Sequence, residues 1–262
     1  MSETILVTGA SAGFGQAICR RLVADGYRVI GSARRIDKLQ ALQEELGEAF
    51  YPLQMDVTDL SQVDHALASL PKAWERVDVL VNNAGLALGL APAYEAEIAD
   101  WLTMIQTNIV GLTYLTRKIL PQMVERNDGY IINLGSTAGT VPYPGANVYG
   151  ASKAFVKQFS LNLRADLAGK KIRVSNIEPG LCEGTEFSSI RFKGDEKRVE
   201  ALYRGAHAIQ PEDIANTVAW LIQQPKHVNV NRIEIMPVSQ TFGPQPVRSE
   251  ERRVGKECSE PC

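Results

Sequence analysis

The chain has 262 residues and a formal net charge of −2, and hydrophobic residues make up 45% of it. A chain of this length can bury a sizeable core without disulfides or a structural metal. The near-neutral charge argues against nucleic acid or an anionic membrane surface as a partner.

The cysteines and histidines show no metal-ligand spacing, so we expect no metal site. No apolar run approaches the roughly 18 residues of a membrane span, and the start of the chain lacks the features of a signal peptide. We therefore expect a cytoplasmic protein that does not enter the membrane.

Short apolar runs alternate with longer amphipathic stretches along the chain. The runs predict strands at residues 4–8, 28–32, 50–55, 77–81, 130–134, 172–177 and 232–236. The stretches predict helices at 14–25, 36–46, 60–70, 98–125, 148–167 and 211–223. Such alternation implies crossover connections and a parallel sheet covered on both faces. We expect a single α/β domain over residues 1–242, with a Rossmann-type doubly wound parallel sheet of about seven strands.

Glycines follow the first predicted strand, where the chain turns into a helix, in the sequence TGASAGFG. Glycine permits a tight turn and a close backbone approach to a ligand, and the N–H groups of a helix start suit a pyrophosphate. The alternative is a turn that only packs the helix, but the position in a βαβ unit favours a dinucleotide site. The residues predicted to bind the cofactor here are Gly9, Ser11, Ala12, Gly13, Phe14 and Gly15.

The end of the second predicted strand carries Arg34 and Arg35 in place of the acid that usually holds the adenosine ribose. An acid would repel a 2′-phosphate, whereas arginines bind it. We therefore predict NADP rather than NAD; the alternative is a solvated basic helix start.

Asp56 and Val57 follow the third predicted strand, at the edge that would lie beside the adenine. Asp56 could accept a hydrogen bond from the adenine amino group, or it could cap the next helix, a role equally open to Thr58 or Asp59. The sequence leaves these alternatives open.

Polar residues follow three further strands at the same sheet edge, where open α/β folds bind ligands. They are Asn83, Ala84 and Gly85 after the fourth strand, Ser136 after the fifth, and Tyr149 and Lys153 at the start of the next helix. A spacing of four places Tyr149 and Lys153 on one helix face. The lysine ammonium should lower the tyrosine pKa, so that Tyr149 exchanges a proton with the substrate oxygen while Ser136 donates a hydrogen bond to that oxygen.

In combination, TGASAGFG, NNAG, a serine thirteen residues before a tyrosine, and YGASK resemble the short-chain dehydrogenase/reductase family over about residues 4–242. The resemblance implies that Asn108 completes a catalytic tetrad by holding a water that links Lys153 to solvent. As a bare sequence feature, Asn108 could equally be a polar group bonded to backbone inside a helix. The resemblance also places Asn83 near the adenosine ribose, Pro179 and Gly180 behind the nicotinamide, and Thr185 on its carboxamide or on the phosphates.

Within the family, the chain resembles the NADP-dependent 3-hydroxy acid dehydrogenases, which act on serine, allo-threonine and related short acids. Phe14 and the segments 135–139 and 184–195 carry this resemblance. It implies hydride transfer between NADP(H) and a short 3-hydroxy acid, or its 3-oxo acid or semialdehyde. The alternatives are a sulfoacetaldehyde reductase that forms isethionate and, in another class, a non-catalytic NADP-binding protein.

The charged segment 183–204 interrupts the strand–helix rhythm and could form a lid over the site. Its Arg191 and Lys193 could bind the anionic group of a hydroxy acid or aldehyde substrate, although a solvated charged loop would look the same. Asn147, two residues before Tyr149, could also touch the substrate.

The helices predicted at 98–125 and 148–167 carry more apolar residues than one buried face requires. These include Trp101, Ile105, Phe155 and Phe159. The family resemblance implies that the two helices pair across subunits in a homotetramer, and the alternative is a buried helix in a monomer.

The tail at 243–262 is rich in proline and charge, and we expect it to be poorly ordered. Residues 248–258, RSEERRVGKEC, resemble a translated sequencing adapter rather than native protein. We therefore leave the tail out of the functional interpretation.

Overall fold

The computed structural model describes residues 3–242, and a single sheet of seven parallel strands lies at its centre. The strands are β1 (Thr4–Thr8), β2 (Arg28–Ala33), β3 (Phe50–Gln54), β4 (Val79–Asn82), β5 (Gly129–Leu134), β6 (Ile172–Pro179) and β7 (Arg232–Ile235). Their order across the sheet is β3-β2-β1-β4-β5-β6-β7. The direction of winding reverses between β1 and β4, which confirms the predicted Rossmann-type doubly wound fold and opens a crevice at this point.

Helices cover both faces of the sheet. They are α1 (Gly13–Ala24), α2 (Ile36–Leu46), α3 (Leu60–Ala68), α4 (Ile98–Ile105), α5 (Leu112–Arg126), α6 (Asn147–Asp166), α7 (Phe187–Arg191), α8 (Glu196–Tyr203) and α9 (Pro211–Gln223). Neighbouring residues of a strand point to opposite faces. Thus Ile5 and Val7 enter the core beneath α1 and α9, whereas Leu6 enters the core beneath α3, α5 and α6. Burial on both faces explains why the strands are continuously apolar.

The region 98–125, which we predicted as one continuous helix, is divided. The segment Gln106–Gly111 is a π-helical turn between α4 and α5. The backbone here lies so close to the loop after β3 that a Cβ on Gly111 would stand 2.6 Å from the Val57 carbonyl oxygen. The side chain of Asn108, inside the turn, bonds to the backbone of Leu86. The prediction of one long helix is therefore confirmed in its extent, since residues 98–126 are helical throughout, and the π-helical turn inside it was not predicted.

The segment predicted as a lid contains two short helices, α7 and α8, and a single β-bridge joins Cys182 to Ile209 just outside it. Within residues 3–242, no helix is both long and apolar enough to cross a membrane. The tail at 243–262, including the adapter-like stretch 248–258, lies outside the described residues.

Candidate active site

A cavity of about 690 Å³ opens at the carboxyl ends of the strands around the point where the winding reverses. Most of the residues that we predicted for the site line it, from the glycine turn to the lid segment. The lining includes Gly9, Ser11, Ala12, Gly13, Phe14, Arg34, Arg35, Asp56, Val57, Asn83, Ala84, Gly85, Ser136, Tyr149, Lys153, Pro179, Gly180, Thr185 and Arg191. Gly15, Asn108 and Asn147 lie outside this lining. Among the described residues, no group of three or more His, Cys, Asp or Glu side chains is placed to hold a metal ion.

The glycine turn brings backbone into close contact at the start of α1. Gly9 and Gly13 have φ angles of +68° and +53°, which side chains rarely adopt. Gly15 lies behind the cavity wall, where a Cβ would stand 2.2 Å from the Gly9 carbonyl oxygen. No side chain caps α1 at Ala12. The first N–H groups of the helix are therefore available to an anionic ligand such as a pyrophosphate.

The end of β2 supplies positive charge and unpaired polar groups. Arg35 pairs with Glu186 of the lid segment, with 2.8 Å between Nη2 and Oε2. Arg34 is exposed and forms no ion pair within residues 3–242. The buried hydroxyl of Ser32 lines the same cavity and has no hydrogen-bond partner among the described residues. These groups fit an adenosine ribose that carries a 2′-phosphate.

The structure narrows the alternatives for Asp56. Its Oδ1 accepts hydrogen bonds from the backbone N–H and the hydroxyl of Thr58, at 2.9 and 2.8 Å. The N-cap of α3 is Asp59, whose carboxylate accepts from the N–H groups of Ser61 and Gln62. Asp56 is thus not the helix cap, and its contact with adenine stays a prediction.

Tyr149 and Lys153 lie on one face of α6, and both are largely buried while they line the cavity. The Lys153 ammonium donates a hydrogen bond to the Leu134 carbonyl at the end of β5, at 2.8 Å, and lies 5.9 Å from the centre of the Tyr149 ring. Ser136 lies two residues after the end of β5, and its hydroxyl lies 3.4 Å from the Pro179 carbonyl oxygen. The ends of β5 and β6 therefore position Lys153 and Ser136, the two polar residues beside Tyr149.

Burial acts on the two titratable groups in opposite directions. It raises the pKa of Tyr149 above its ordinary value, and the neighbouring Tyr143 raises it further, while the Ser136 hydroxyl and the Arg191 guanidinium lower it. Burial lowers the pKa of Lys153 to about 8. We had expected the lysine charge to lower the tyrosine pKa. In the protein without cofactor, desolvation outweighs nearby positive charge, so Tyr149 is a neutral hydroxyl at neutral pH.

The side chain of Asn108 forms three hydrogen bonds to the protein behind the cavity. Its Oδ1 accepts from the Leu86 N–H at 3.0 Å, and its Nδ2 donates to the Leu86 carbonyl at 2.9 Å and to the Ser152 hydroxyl at 3.0 Å. These contacts match the alternative of a buried polar group bonded to backbone. Asn108 Oδ1 and Lys153 Nζ nevertheless both flank Gly85, at 3.3 and 3.4 Å from the position of a Cβ there. The water relay through Asn108 stays a prediction.

The lid segment brings one cation, which has no carboxylate partner among the described residues, close to Tyr149. Arg191 donates through Nη2 to the Tyr143 hydroxyl at 2.9 Å, and its Cζ lies 5.4 Å from the ring centres of Tyr143 and Tyr149. No carboxylate within residues 3–242 forms an ion pair with it. Lys193, the other candidate for the substrate anion, pairs with Asp100 at 2.9 Å and does not line the cavity. Next to the Tyr149 ring, the Arg191 guanidinium is thus available to an anion that enters the cavity.

Asn147 is the predicted substrate contact that the structure does not bring into the cavity. Its Nδ2 donates to the Ala91 carbonyl at 3.1 Å, and its Oδ1 accepts from the N–H of Val148. The side chain therefore holds the loop before α4 to the start of α6.

Two aromatic residues of the site were not predicted. Tyr143 binds Arg191, and the Phe187 ring lies 5.8 Å from the Tyr149 ring. Tyr143 lies in the loop between Ser136 and Tyr149, so its position in the chain was the available signal.

Comparison with known proteins extends these findings. A family described as short chain dehydrogenase matches residues 3–195. The chain is 60% identical to a probable NADP-dependent dehydrogenase of Haemophilus influenzae over 95% of this chain and 99% of the relative. It is 58% identical to an NADP-dependent 3-hydroxy acid dehydrogenase of Salmonella typhi, over 91% and 96% of the two chains. A solved structure of the closed form of serine dehydrogenase complexed with NADP⁺ superposes with a TM-score of 0.91 at 54% identity, over 94% of this chain and all of that one.

The lowered pKa of Lys153 predicts how stability depends on pH. The folded chain releases this proton near pH 8, whereas the unfolded chain holds it up to the ordinary value of 10.5. Between these values the unfolded state binds more protons, so the stability of the folded state rises with pH. From pH 7.5 to 10, the free energy of unfolding should rise by on the order of 2 kcal/mol more in the wild type than in Lys153→Met.

Denaturant unfolding at several pH values measures this difference. Lys197→Met, at an exposed site of α8, is the control for losing a lysine. A gap between wild type and Lys153→Met that stays constant over this range would show that the charge is not destabilised by burial.

Proposed function

The chain belongs to the short-chain dehydrogenase family, and on that premise we propose that it transfers a hydride between NADP(H) and C3 of a short 3-hydroxy acid or of the matching 3-oxo acid or semialdehyde. Relatives named for this cofactor and for hydroxy acids support the proposal. The observation that carries the acid class is Arg191, whose guanidinium faces Tyr149 without a carboxylate partner in the described chain. A partly buried cation in a cavity favours an anionic ligand, and a substrate carboxylate is one.

The cavity also fits the cofactor. The uncapped start of α1 would bind the pyrophosphate, and Arg34 and Arg35 would bind the 2′-phosphate. Pro179 and Gly180, which line the cavity beside Ser136, would lie against the nicotinamide. When bound, the nicotinamide supplies or accepts the hydride.

Three residues of the chain carry out and support proton transfer at the substrate oxygen. In the reducing direction, the Tyr149 hydroxyl donates its proton to that oxygen; in the oxidising direction, the Tyr149 phenolate accepts the proton of the substrate hydroxyl. Burial keeps the hydroxyl protonated at neutral pH because it raises the Tyr149 pKa, so the resting protein is ready to act as the acid. Ser136 donates a hydrogen bond to the same oxygen, and the positive charge of Lys153 favours the phenolate that remains after transfer.

The alternatives are less well supported. The relatives named above refer to hydroxy acids and serine, which favours a carboxylate over the sulfonate of sulfoacetaldehyde. A non-catalytic NADP-binding protein would have no need for Tyr149, Ser136 and Lys153 in one cavity.

We also propose a homotetramer in the cytoplasm. Large apolar side chains stay exposed on α4 and α6, including Ile98, Leu102, Phe155 and Leu161. Such a patch is typical of an interface, and the symmetry of a tetramer allows it to pair with itself. Trp101, named in the sequence as part of this face, packs instead against the small core around Tyr149. The two cysteines of the described chain, Cys19 and Cys182, are free thiols, as expected in a reducing compartment.

The first test is turnover. Protein, NADP and racemic serine, allo-threonine or 3-hydroxypropionate should produce NADPH, measured by absorbance. Tyr149→Phe should lower kcat about 10² to 10⁴-fold, since it removes the proton carrier. Tyr94→Phe, the same change at an exposed site, is the control. Absence of turnover with all these acids in both directions would reject the substrate class, and full activity of Tyr149→Phe would reject its role.

The second test separates acid recognition from chemistry. Arg191→Met should raise KM for 3-hydroxybutyrate about 10 to 100-fold, because a charge-assisted hydrogen bond contributes roughly 1.5–3 kcal/mol. KM for the methyl ester of 3-hydroxybutyrate should change little. Arg198→Met, an exposed arginine of the same segment, should keep the wild-type preference for the acid. If the variant discriminates acid from ester as the wild type does, the anion is bound elsewhere.

The third test concerns assembly. Light scattering should give a mass four times that of one chain. Leu161→Asp should lower the mass, because it places a charge in the apolar face of α6, whereas Val228→Asp, on the loop before β7, should not. A wild-type mass equal to one chain contradicts the proposal.

A further inference from the structure

The short helix α7 spans the cavity from its nucleotide end to its acid end. Glu186 directly precedes α7 and pairs with Arg35 at the end of β2. Arg191 is the last residue of α7 and binds Tyr143 beside Tyr149. Between them, Phe187 packs its ring against that of Tyr149. One short turn of helix therefore connects Arg35, at the nucleotide end of the cavity, with Arg191 beside Tyr149.

Arg35 uses two edges of its guanidinium. Nη1 and Nη2 donate to the two carboxylate oxygens of Glu186, at 3.1 and 2.8 Å. Nε and Nη2 donate to the single hydroxyl oxygen of Ser11 in the glycine turn, at 3.3 and 3.1 Å. A neutral hydroxyl is a weak acceptor for an edge that matches phosphate geometry. A phosphate oxygen can thus replace Ser11 on this edge while the Glu186 edge stays paired.

We propose that Glu186 is a positioning residue, which acts through Arg35 to tie α7 to the 2′-phosphate of NADP and so holds Arg191 over the catalytic tyrosine. The acid-binding half of this inference rests on the proposed function. If Glu186 has this positioning role, the phosphate that distinguishes NADP from NAD improves binding of the substrate at the far end of α7.

The charges and the solvent exposure of Arg35 and Glu186 support positive coupling, in which the 2′-phosphate improves substrate binding. The side chains of Arg35 and Glu186 are 43% and 52% exposed, so the ion pair alone holds the segment weakly. Arg35 lowers the pKa of Glu186, and Lys38 lowers it further, so the carboxylate is charged at neutral pH. A phosphate that replaces Ser11 on its edge of Arg35 would fix the guanidinium, and Glu186 would then bind a cation that is already ordered. Since coupling between sites is reciprocal, acid binding should also tighten NADP more than NAD.

The first experiment needs no substrate. Amide hydrogen exchange in residues 187–192 is measured with saturating NADP and with saturating NAD. We expect NADP to slow exchange more than NAD in the wild type, and the two cofactors to act equally in Glu186→Gln. Glu200→Gln removes the same charge from α8 at a site that contacts Arg204 rather than Arg35, so it should keep the wild-type difference.

Three results would overturn the inference. Equal protection by both cofactors in the wild type would show that the phosphate does not reach α7. A difference that survives in Glu186→Gln would assign the coupling to another contact. Tighter binding of NADP to Glu186→Gln than to the wild type, measured by titration, would make Glu186 a competitor of the phosphate rather than its partner.

The second experiment is kinetic. The KM for the hydroxy acid should be about five-fold or more higher with NAD than with NADP in the wild type, and the ratio should approach one in Glu186→Gln. A purely structural role would raise the acid KM equally with both cofactors and leave the ratio unchanged, against the proposal. If no hydroxy acid is turned over, the proposed function fails while the exchange experiment still decides the role of Glu186.

Discussion

The contact between the ends of β1 and β4 determines where the site can form. The Thr8 hydroxyl accepts hydrogen bonds from the N–H groups of Asn83 and Ala84, and the Asn83 amide donates to the Thr8 carbonyl at 2.8 Å. These bonds join the two strands at the point where their following chains diverge to opposite faces of the sheet. The glycine turn and the loop toward Gly85 are thereby held against each other. The nucleotide and catalytic ends of the cavity share this junction, and a side chain at Gly9 or Gly15 would push it apart.

Burial at this edge of the sheet changes the pKa values of Tyr149 and Lys153 more than any single neighbouring group does. Tyr149 and Lys153 are both buried, and in each case desolvation favours the neutral form, so the tyrosine pKa rises and that of the lysine falls to about 8. The pKa values of the two groups, nearly equal in water, thus move apart, and the tyrosine holds its proton more tightly than the lysine does. An added positive charge would move Tyr149 toward phenolate and disfavour the ammonium of Lys153. The pair is therefore sensitive to the charge of whatever occupies the cavity.

The sequence predicted what depends on local pattern and strand order. All seven strands lie within two residues of their predicted bounds, because continuous apolar runs flanked by turns are specific for buried parallel strands. The convergence of Ser136, Tyr149 and Lys153 followed from the rule that parallel strands end at one edge. What could not be predicted depends on contacts between distant segments. The π-helical turn requires Gly111 to meet Val57, and Asn147 is directed away from the cavity by its bond to the Ala91 carbonyl.

The lid segment shows most clearly that contacts between distant segments are not predictable from the sequence, because its charged residues are equally typical of a solvated loop. Ser188 is the buried residue of α7, and α8 has none, so apolar burial does little to hold either helix. Polar contacts anchor the segment instead: Glu186 to Arg35, Lys193 to Asp100, and Arg191 to Tyr143. A segment held this way opens at low cost in free energy, and its position responds to small changes at its anchors. Arg35 and Arg191 take part in two of these contacts, so under the proposed coupling the ligands that bind these arginines would also determine where α7 lies.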